Sequence, residues 1–412
     1  MTDTSVPTVD EFRSRARDWL ARTMPPASVA QREDDDSRAW ELARTLQRTL
    51  SDGGFAGICF PREYGGLGLG HEYQQAFTEE AEPYDMPVLL NVPSLAICGA
   101  TLLDTGTEQQ KLTYLPRIIS GEDVWCQLLS EPRGGSDLAG VTTRAVRDGD
   151  EWVVNGTKIW SSAAYAADYG LCLTRTDWDV PKHSGLTMMI MPLDAPGVTI
   201  HRIRLVSGST EFCQVFFDDV RLPADAVVGE VNDGWATASQ QLFHERNSMG
   251  GGSPYVSGPR FRPGAQGMDL VELARRTAML DDPLTRDQIA QIHVMDRVSE
   301  ALVDRMGRSI ASGAVPPTAS TILRLFDAER SWQRSDAEVR IAGSTAVSGR
   351  DSEDKDLGVT GLRFLSRQGV SLGGGSTEMA RNIISERVLG MPREAAPDKG
   401  VPFREVKQRR TD

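Results

Sequence analysis

The spacing of apolar residues changes twice along this chain of 412 residues, and that change limits its fold more than any single motif does. From about residue 8 to 120 the period is helical. "FRSRARDWL" aligns Phe12, Ala16, Trp19 and Leu20, and "SRAWELARTLQRTL" aligns Trp40, Ala43, Leu46 and Leu50. Near residue 121 the period becomes two. "TTRAVRDGDEWVVNGTKIW" contains short alternating runs punctuated by Asp148-Gly149 and Asn155-Gly156, both suited to tight hairpin turns. Further short strands follow in "YGLCLTRT", "LTMMIMPL", "VTIHRIRL" and "CQVFFDDVRLP". After about 230 the helical period returns, with Ile289, Ile292, Val298, Leu302 and Met306 on one face, then Ile322, Leu325, Ala328 and Trp332. The pattern predicts an α+β chain: an N-terminal helical domain (1–120), a middle antiparallel β domain (121–230), a C-terminal four-helix bundle (231–395) and a tail (396–412). The segments 250–268 and beyond about 394 are the candidates for low order.

Charge and composition narrow the function. With 45 basic and 58 acidic residues the net charge is −13, which repels phosphate backbones and argues against nucleic acid. The first residues, "MTDTSVPTVDEF", lack a basic segment followed by an apolar run, and no stretch of 18 apolar residues offers a membrane span, so a cytoplasmic protein is expected. Cys59, Cys98, Cys126, Cys172 and Cys213 are scattered among apolar neighbours, as buried thiols are in a reducing compartment. The five histidines are far apart, and "HEYQQ" lacks the second histidine of a zinc helix, so no metal site is expected.

Four blocks invite chemistry. "GGLGLG" (65–70) fails the dinucleotide spacing and reads as a loop. "LLSEPRGGSDLAG" (128–140) supplies small residues and hydroxyls that let backbone N–H groups approach a planar or anionic ligand. "KIWSS" places Trp160 beside Ser161 and Ser162 at a strand end. Spacing alone favours an ordinary polar turn and a core tryptophan. "LFHERN" puts Glu245 next to Arg246 on a helix that soon runs into glycines.

Taken in order, "PREYGGLGLG", "LLSEPRGGSDLAG", "EWVVNGTKIWSS" and "FFDDVRLPADAVVGEVNDGW" resemble the acyl-CoA dehydrogenase family over roughly residues 10 to 395, least clearly in the terminal bundle. The resemblance implies FAD, an acyl-CoA substrate, α,β-desaturation and transfer of electrons to an electron-transfer flavoprotein. It implies that Leu129, Ser130, Gly135 and Ser136 cradle the flavin, Ser136 also reaching substrate. Trp160, Ser161 and Ser162 are then expected along the ring edge, with Ser162 near N5, and Ser376 and Glu378 are expected to touch FAD. Many family members carry the base just before a Gly-Thr pair, a position occupied here by Gly374, whose N–H can still meet the thioester oxygen. A second branch carries the base in a helical Glu-Arg pair. "LFHERN" resembles that branch, which makes Glu245 the expected base and Arg246 a substrate residue, and moving the base by Gly374→Glu is expected to rescue a Glu245→Gln variant in part.

Two departures from the family pattern bear on substrate and assembly. "NSMGGGSPYVSGPRFRPGAQG" interrupts the Glu-Arg helix with six glycines and three prolines between 250 and 267, which suggests a pocket opened for a bulky acyl group, branched or steroid-derived. The segments that hold the FAD diphosphate across a subunit interface are degraded: Arg286 is followed by no Phe-Gly, and Arg340 stands where the family has glutamine, with only Gly343 retained. This resembles actinobacterial enzymes built as α2β2 heterotetramers, in which one subunit brings the base. The alternatives are a homotetramer, a non-catalytic subunit, and a dehydrogenase of carrier-protein thioesters in secondary metabolism.

Overall fold

The computed structural model describes residues 6–27, 36–249, 253–258, 269–351 and 355–409. It divides into two compact units, each considered by itself: the first comprises Met1–Arg204, Thr210–Phe261 and Pro397–Asp412, the second Leu205–Ser209 and Arg262–Ala396. An N-terminal helical part, a middle sheet and a C-terminal helical part follow one another as the change of period requires.

In the first unit, helix α1 (Val9–Thr23) starts at a capping box in which Thr8 and Glu11 satisfy each other's backbone N–H groups. Phe12, Ala16 and Leu20 are fully buried, while Trp19 stays half-buried against Phe55. Helix α2 (Asp36–Asp52) buries Trp40, Ala43, Leu46 and Leu50, as its apolar stripe demands. Helix α3 (His71–Glu80) is followed by a continuous helical run made of α4 (Val88–Leu90), a π-helical stretch Asn91–Gly99 and α5 (Ala100–Thr105). Pro93 has no N–H to give to the ladder and its ring crowds the preceding turn, which accounts for the widened stretch. This run is the one place among the described residues where 18 residues have the length and mean hydropathy (1.5) of a membrane span, but 61% of it is buried in the protein as a core helix. Helix α6 (Glu108–Ser120) leads into the sheet.

The sheet has eight strands: β1 (Trp125–Leu128), β2 (Arg144–Asp148), β3 (Glu151–Ser162), β4 (Tyr169–Arg175), β5 (Leu186–Pro192), β6 (Val198–Ile203), β7 (Phe212–Pro223) and β8 (Val227–Val228). The order is β6-β7-β3-β2-β4-β5-β8, with β1 paired to β4. Pairing is antiparallel except for β1 with β4 and a single β2–β4 register point. A hairpin forms at Asp148-Gly149 one residue later than expected: Asp148 pairs with Glu151, so the loop is Gly149-Asp150, with Gly149 at φ +63°. Asn155-Gly156 forms none. It lies inside β3 at a bulge against β7, where Gly156 passes so close to Thr143 that an added Cβ would sit 2.6 Å from the Thr143 Cα. The Asn155 side chain pairs with Asp219, donating to its carboxylate and accepting its N–H, and thereby patches the ladder that the bulge opens. Helix α7 (Gly234–Met249) leaves the sheet and ends just before the glycine run.

In the second unit, α10 (Thr321–Ala342) is the hub, packed against α8 (Leu270–Arg276), α9 (Pro283–Ala311), α11 (Lys355–Ser366) and α12 (Thr377–Ile383). Ile292 and Met306 are buried on α9 as predicted and Ile289 and Leu302 half-buried, but Val298 is 40% exposed. The tail also departs from expectation. Its residues Phe403–Arg409 form helix α13, which belongs to the first unit and buries Phe403 and Val406.

Candidate active site

Strand β1 runs between two cores. Trp125 and Leu129 pack with the N-terminal helices, and Cys126 and Leu128 pack inside the sheet. Gln127 shares the helical face and is the polar residue in that apolar run. Beyond the strand the chain turns at Glu131, which exchanges backbone hydrogen bonds with Gly134. The Glu131 carboxylate is 6% exposed and accepts from the Thr142 and Thr143 N–H groups, from Thr142 Oγ1 and, at 2.9 Å, from Lys158 Nζ. Lys158 is fully buried and also donates to the Leu129 carbonyl, while the Ile159 N–H donates to the Ser130 carbonyl. Burial alone would raise Glu131, but Lys158 and the threonine donors outweigh it and hold the carboxyl below its ordinary value. The loop carrying Leu129 and Ser130 is thereby stitched to β3. Gly135 and Ser136 lie farther along it, exposed, with open space around the glycine.

At the other end of that stitch β3 bulges between Lys158 and Ser161. Trp160 adopts φ +60° and Ala163 φ +63°, backbone conformations that cost a side-chain-bearing residue on the order of 1 kcal/mol or more. The result is a tryptophan 53% exposed, edge-on to Phe212, with Ser162 exposed on the same strand end. Ser161 points inward, 3% exposed, with its Oγ lacking a protein partner. An exposed indole, an open glycine loop and the serine hydroxyls beside them suit a planar ligand with a polar edge.

Glu245 is half-buried on α7, and Gln127 Nε2 donates to its Oε2 at 2.9 Å. The helix is fixed by its neighbouring turn: His244 Nε2 lies 2.8 Å from Asp104 Oδ2, and Gln240 donates to the same oxygen. Burial raises Asp104, yet these two partners more than offset it, leaving its carboxyl below the usual range. Arg246 reaches solvent, but protein around it desolvates the guanidinium and lowers it from its usual value, against the pull of Glu245. After α7, residues 253–258 dock on the N-terminal helices. Tyr255 packs on Phe60 with ring centroids 4.5 Å apart, and the Ser257 N–H donates to Asn91. Glycines 250–252 and residues 259–268 lie outside the described residues.

In the second unit, Gly374 and Gly375 adopt φ +69° and +92°. Ser376 caps α12 by accepting from the Met379 N–H, and Glu378 is exposed in the first turn, where backbone and hydroxyl donors lower its carboxyl. Arg286 and Arg340 are exposed on α9 and α10. Gly374 is set in a left-handed turn, so a Gly374→Glu side chain would be strained, and the rescue expected from the sequence loses its footing.

Sequence reasoning passed over Gln127, Glu131 and Lys158. The signals were present: one polar residue inside "VWCQLL", and one lysine inside the predicted strand "EWVVNGTKIWSS", where a buried charge needs a partner.

Comparison with known proteins covers almost the whole chain. Three family models match in succession: acyl-CoA dehydrogenase, N-terminal domain (residues 7–122), middle domain (126–220) and C-terminal domain (232–389). The acyl-CoA dehydrogenase IpdE1 of Mycobacterium tuberculosis is 37% identical over 398 residues, covering 94% of this chain and 99% of the relative. The IpdE1 of Mycolicibacterium smegmatis is 34% identical over 409 residues, covering 94% and 98%. Among solved structures, the Tcur3481-Tcur3483 steroid ACAD superposes with a TM-score of 0.75 at 28% identity, covering 95% of this chain and 100% of that one.

Proposed function

Because this chain belongs to the acyl-CoA dehydrogenase family, FAD-dependent oxidoreductases with actinobacterial relatives close to it, we propose that it desaturates the α,β bond of a bulky acyl-CoA thioester with Glu245 as base. The observation that carries the reading is the placement of Glu245. Its carboxylate is held by Gln127 of β1, the strand that continues directly into the loop bearing Leu129 and Ser130. One element therefore sets the distance between the proton acceptor and the cofactor corner.

The residues at that corner fit an isoalloxazine. Trp160 offers an exposed aromatic face, Ser161 a buried hydroxyl without a protein partner, and the 129–136 loop backbone donors with room around Gly135. FAD, when bound, supplies a hydride acceptor for the β-hydrogen. The chain's own task is the proton. The α-hydrogen of a thioester is weakly acidic, so Glu245 must be ionised, oriented and shielded from water when substrate arrives. Gln127 favours its ionised form by donating a hydrogen bond, and the Asp104–His244–Gln240 contacts fix the helix turn that carries it. Ser136 and Arg246 are the proposed substrate contacts of this unit. Gly374, Ser376 and Glu378 remain proposed contacts to substrate and FAD.

A bulky, steroid-derived acyl group is supported by the solved neighbour described as a steroid ACAD and by the run of glycines and prolines that follows Met249 in sequence. The test is a panel of acyl-CoA thioesters, from butyryl-CoA to ring-bearing ones, scored by bleaching of the flavin. Faster bleaching by short straight chains than by any ring-bearing thioester would overturn the substrate class.

A second reading concerns assembly: this chain is the base-bearing subunit of an α2β2 complex with a related chain, reducing an electron-transfer flavoprotein. Support comes from Arg340 at the degraded diphosphate segment and from Val294, Val298 and Val303, exposed on α9. The M. tuberculosis ChsE4-ChsE5 complex, TM-score 0.71 at 26% identity, is a neighbour made of two different chains. Purification without a partner decides between them: one tightly held FAD per chain, in a homotetramer with full activity, would defeat the heteromer.

A further inference from the structure

The segment 397–409 does more than end the fold. It returns to the sheet and lies on residues 178–182, the start of the β4–β5 connection. The Phe403 N–H donates to the Val180 carbonyl at 2.9 Å, and the Arg404 N–H to the Trp178 carbonyl at 3.0 Å. Arg404 pairs with Asp179, and the Phe403 ring packs against Trp178 with centroids 5.5 Å apart.

Two cations under this segment reach the loop that carries Gly135 and Ser136. Arg175, fully buried at the end of β4, donates Nε to the Val141 carbonyl at 3.0 Å and Nη2 to the Ala139 and Lys182 carbonyls at 2.6 and 3.1 Å. Its guanidinium sits 3.7 Å from the centre of the Phe403 ring. Burial lowers Arg175 to about 10, so it remains a cation at neutral pH, compensated by carbonyl dipoles and an aromatic face. Lys182 is the second cation. Its Nζ lies 2.9 Å from Asp137 in the loop and 2.8 Å from Asp398 in the returning segment.

We propose that segment 397–409 is a strap that holds the 133–141 loop in register, with Arg175 and Lys182 as its two fastenings. Phe403 covers Arg175 and excludes water that would otherwise compete for the guanidinium and release the Ala139 and Val141 carbonyls. Asp398 holds Lys182 on the side where it meets Asp137. Three glycines, 134, 135 and 140, limit the stiffness of the loop between its Glu131–Gly134 turn and its Leu138–Gly140 turn, so the outer contacts add to its order. Arg175, Lys182, Asp398 and Phe403 are positioning residues. The consequence for the flavin rests on the proposed reading of the loop as a cofactor cradle, whereas loop order can be measured without it.

The test uses the full chain with any co-purified partner, in three variants: Phe403→Ala/Asp398→Asn, Lys182→Met and the conservative Phe403→Tyr. Hydrogen–deuterium exchange is followed in peptides spanning 132–142, and tryptic cleavage after Arg133, which is exposed in the loop, is timed. The double variant is expected to raise exchange in 132–142 and cleavage at Arg133 at least tenfold, with peptides of β5 and α2 unchanged. Lys182→Met, which leaves the strap sequence intact, is expected to give a smaller rise in the same peptides, and Phe403→Tyr none. Unchanged exchange in 132–142 in a folded double variant, or in Lys182→Met if the double variant does not fold, would overturn the strap. Flavin retained on gel filtration while loop exchange rises would leave the strap standing and overturn the cradle.

Discussion

Glu131 and Glu245 are two glutamates of the first unit set into opposite kinds of surroundings. Glu131 is 6% exposed and saturated: a buried lysine and two threonines use both of its oxygens. Glu245 is half-buried, on a helix whose fixing contacts come from its neighbours His244 and Gln240, and it receives a neutral amide donor from Gln127. A carboxylate locked by a cation and several donors is a poor base, because any proton it accepts breaks the lock. The first arrangement builds the corner, and the second carries the proposed base.

The sharpest way to break this comparison is to neutralise each glutamate in turn. Glu245→Gln is expected to lower turnover on the order of 10⁴-fold, ~5.5 kcal/mol in barrier, with melting temperature and flavin content unchanged. Glu131→Gln is expected to do the reverse, lowering stability and flavin content first. Steady-state rates, thermal melts and flavin absorbance on both proteins check this, and a Glu245→Gln enzyme within tenfold of wild type removes the base assignment. Next in size is Lys158→Met, which leaves Glu131 buried without its cation. A loss of about 3–5 kcal/mol in chemical denaturation is expected, with the loop around Ser130 the first to open.

The acid limb of stability sharpens the contrast further. Glu131 is held below the usual 4.5 of a glutamate, so its contribution is fully present above that pH and is lost as the pH falls below it and through the folded value. The stability gap between wild type and Glu131→Gln is therefore expected to narrow as the pH drops from 5 toward 3, measured by urea unfolding. A gap that stays constant would mean that the ion pair does not stabilise the fold. The smallest effect belongs to Gln127→Met, which keeps the shape and removes the donor to Glu245. The acid limb of kcat/KM is expected to move to higher pH in a pH–rate profile, with the plateau rate nearly kept.

Much of this architecture is legible in the sequence. The apolar period gave α1 and α2 with their buried faces, the strand-rich middle and the return to helix, because periods of 3.6 and 2 are local properties of a chain. The ordered blocks directed attention to Ser130, Trp160 and Glu245. What escaped was whatever depends on a distant partner. Asp148-Gly149 and Asn155-Gly156 look alike in sequence, yet one closes a hairpin and the other sits in a bulge, because Thr143 and Asp219 crowd and pair with the second alone. The segment beyond 394 reads as polar and loose, since nothing near it in sequence reveals that Phe403 will lie over Arg175.

The sequence by itself determined the order of helical and β segments, the family, and which residue types were on hand for proton transfer, since these follow from periodicity and from side-chain chemistry carried by each residue. Only the tertiary structure decided which partners each of the two glutamates meets. That choice is made by Lys158, Thr142 and Gln127, which reach the two carboxylates from other elements, and no local pattern encodes the partners a buried charge will find.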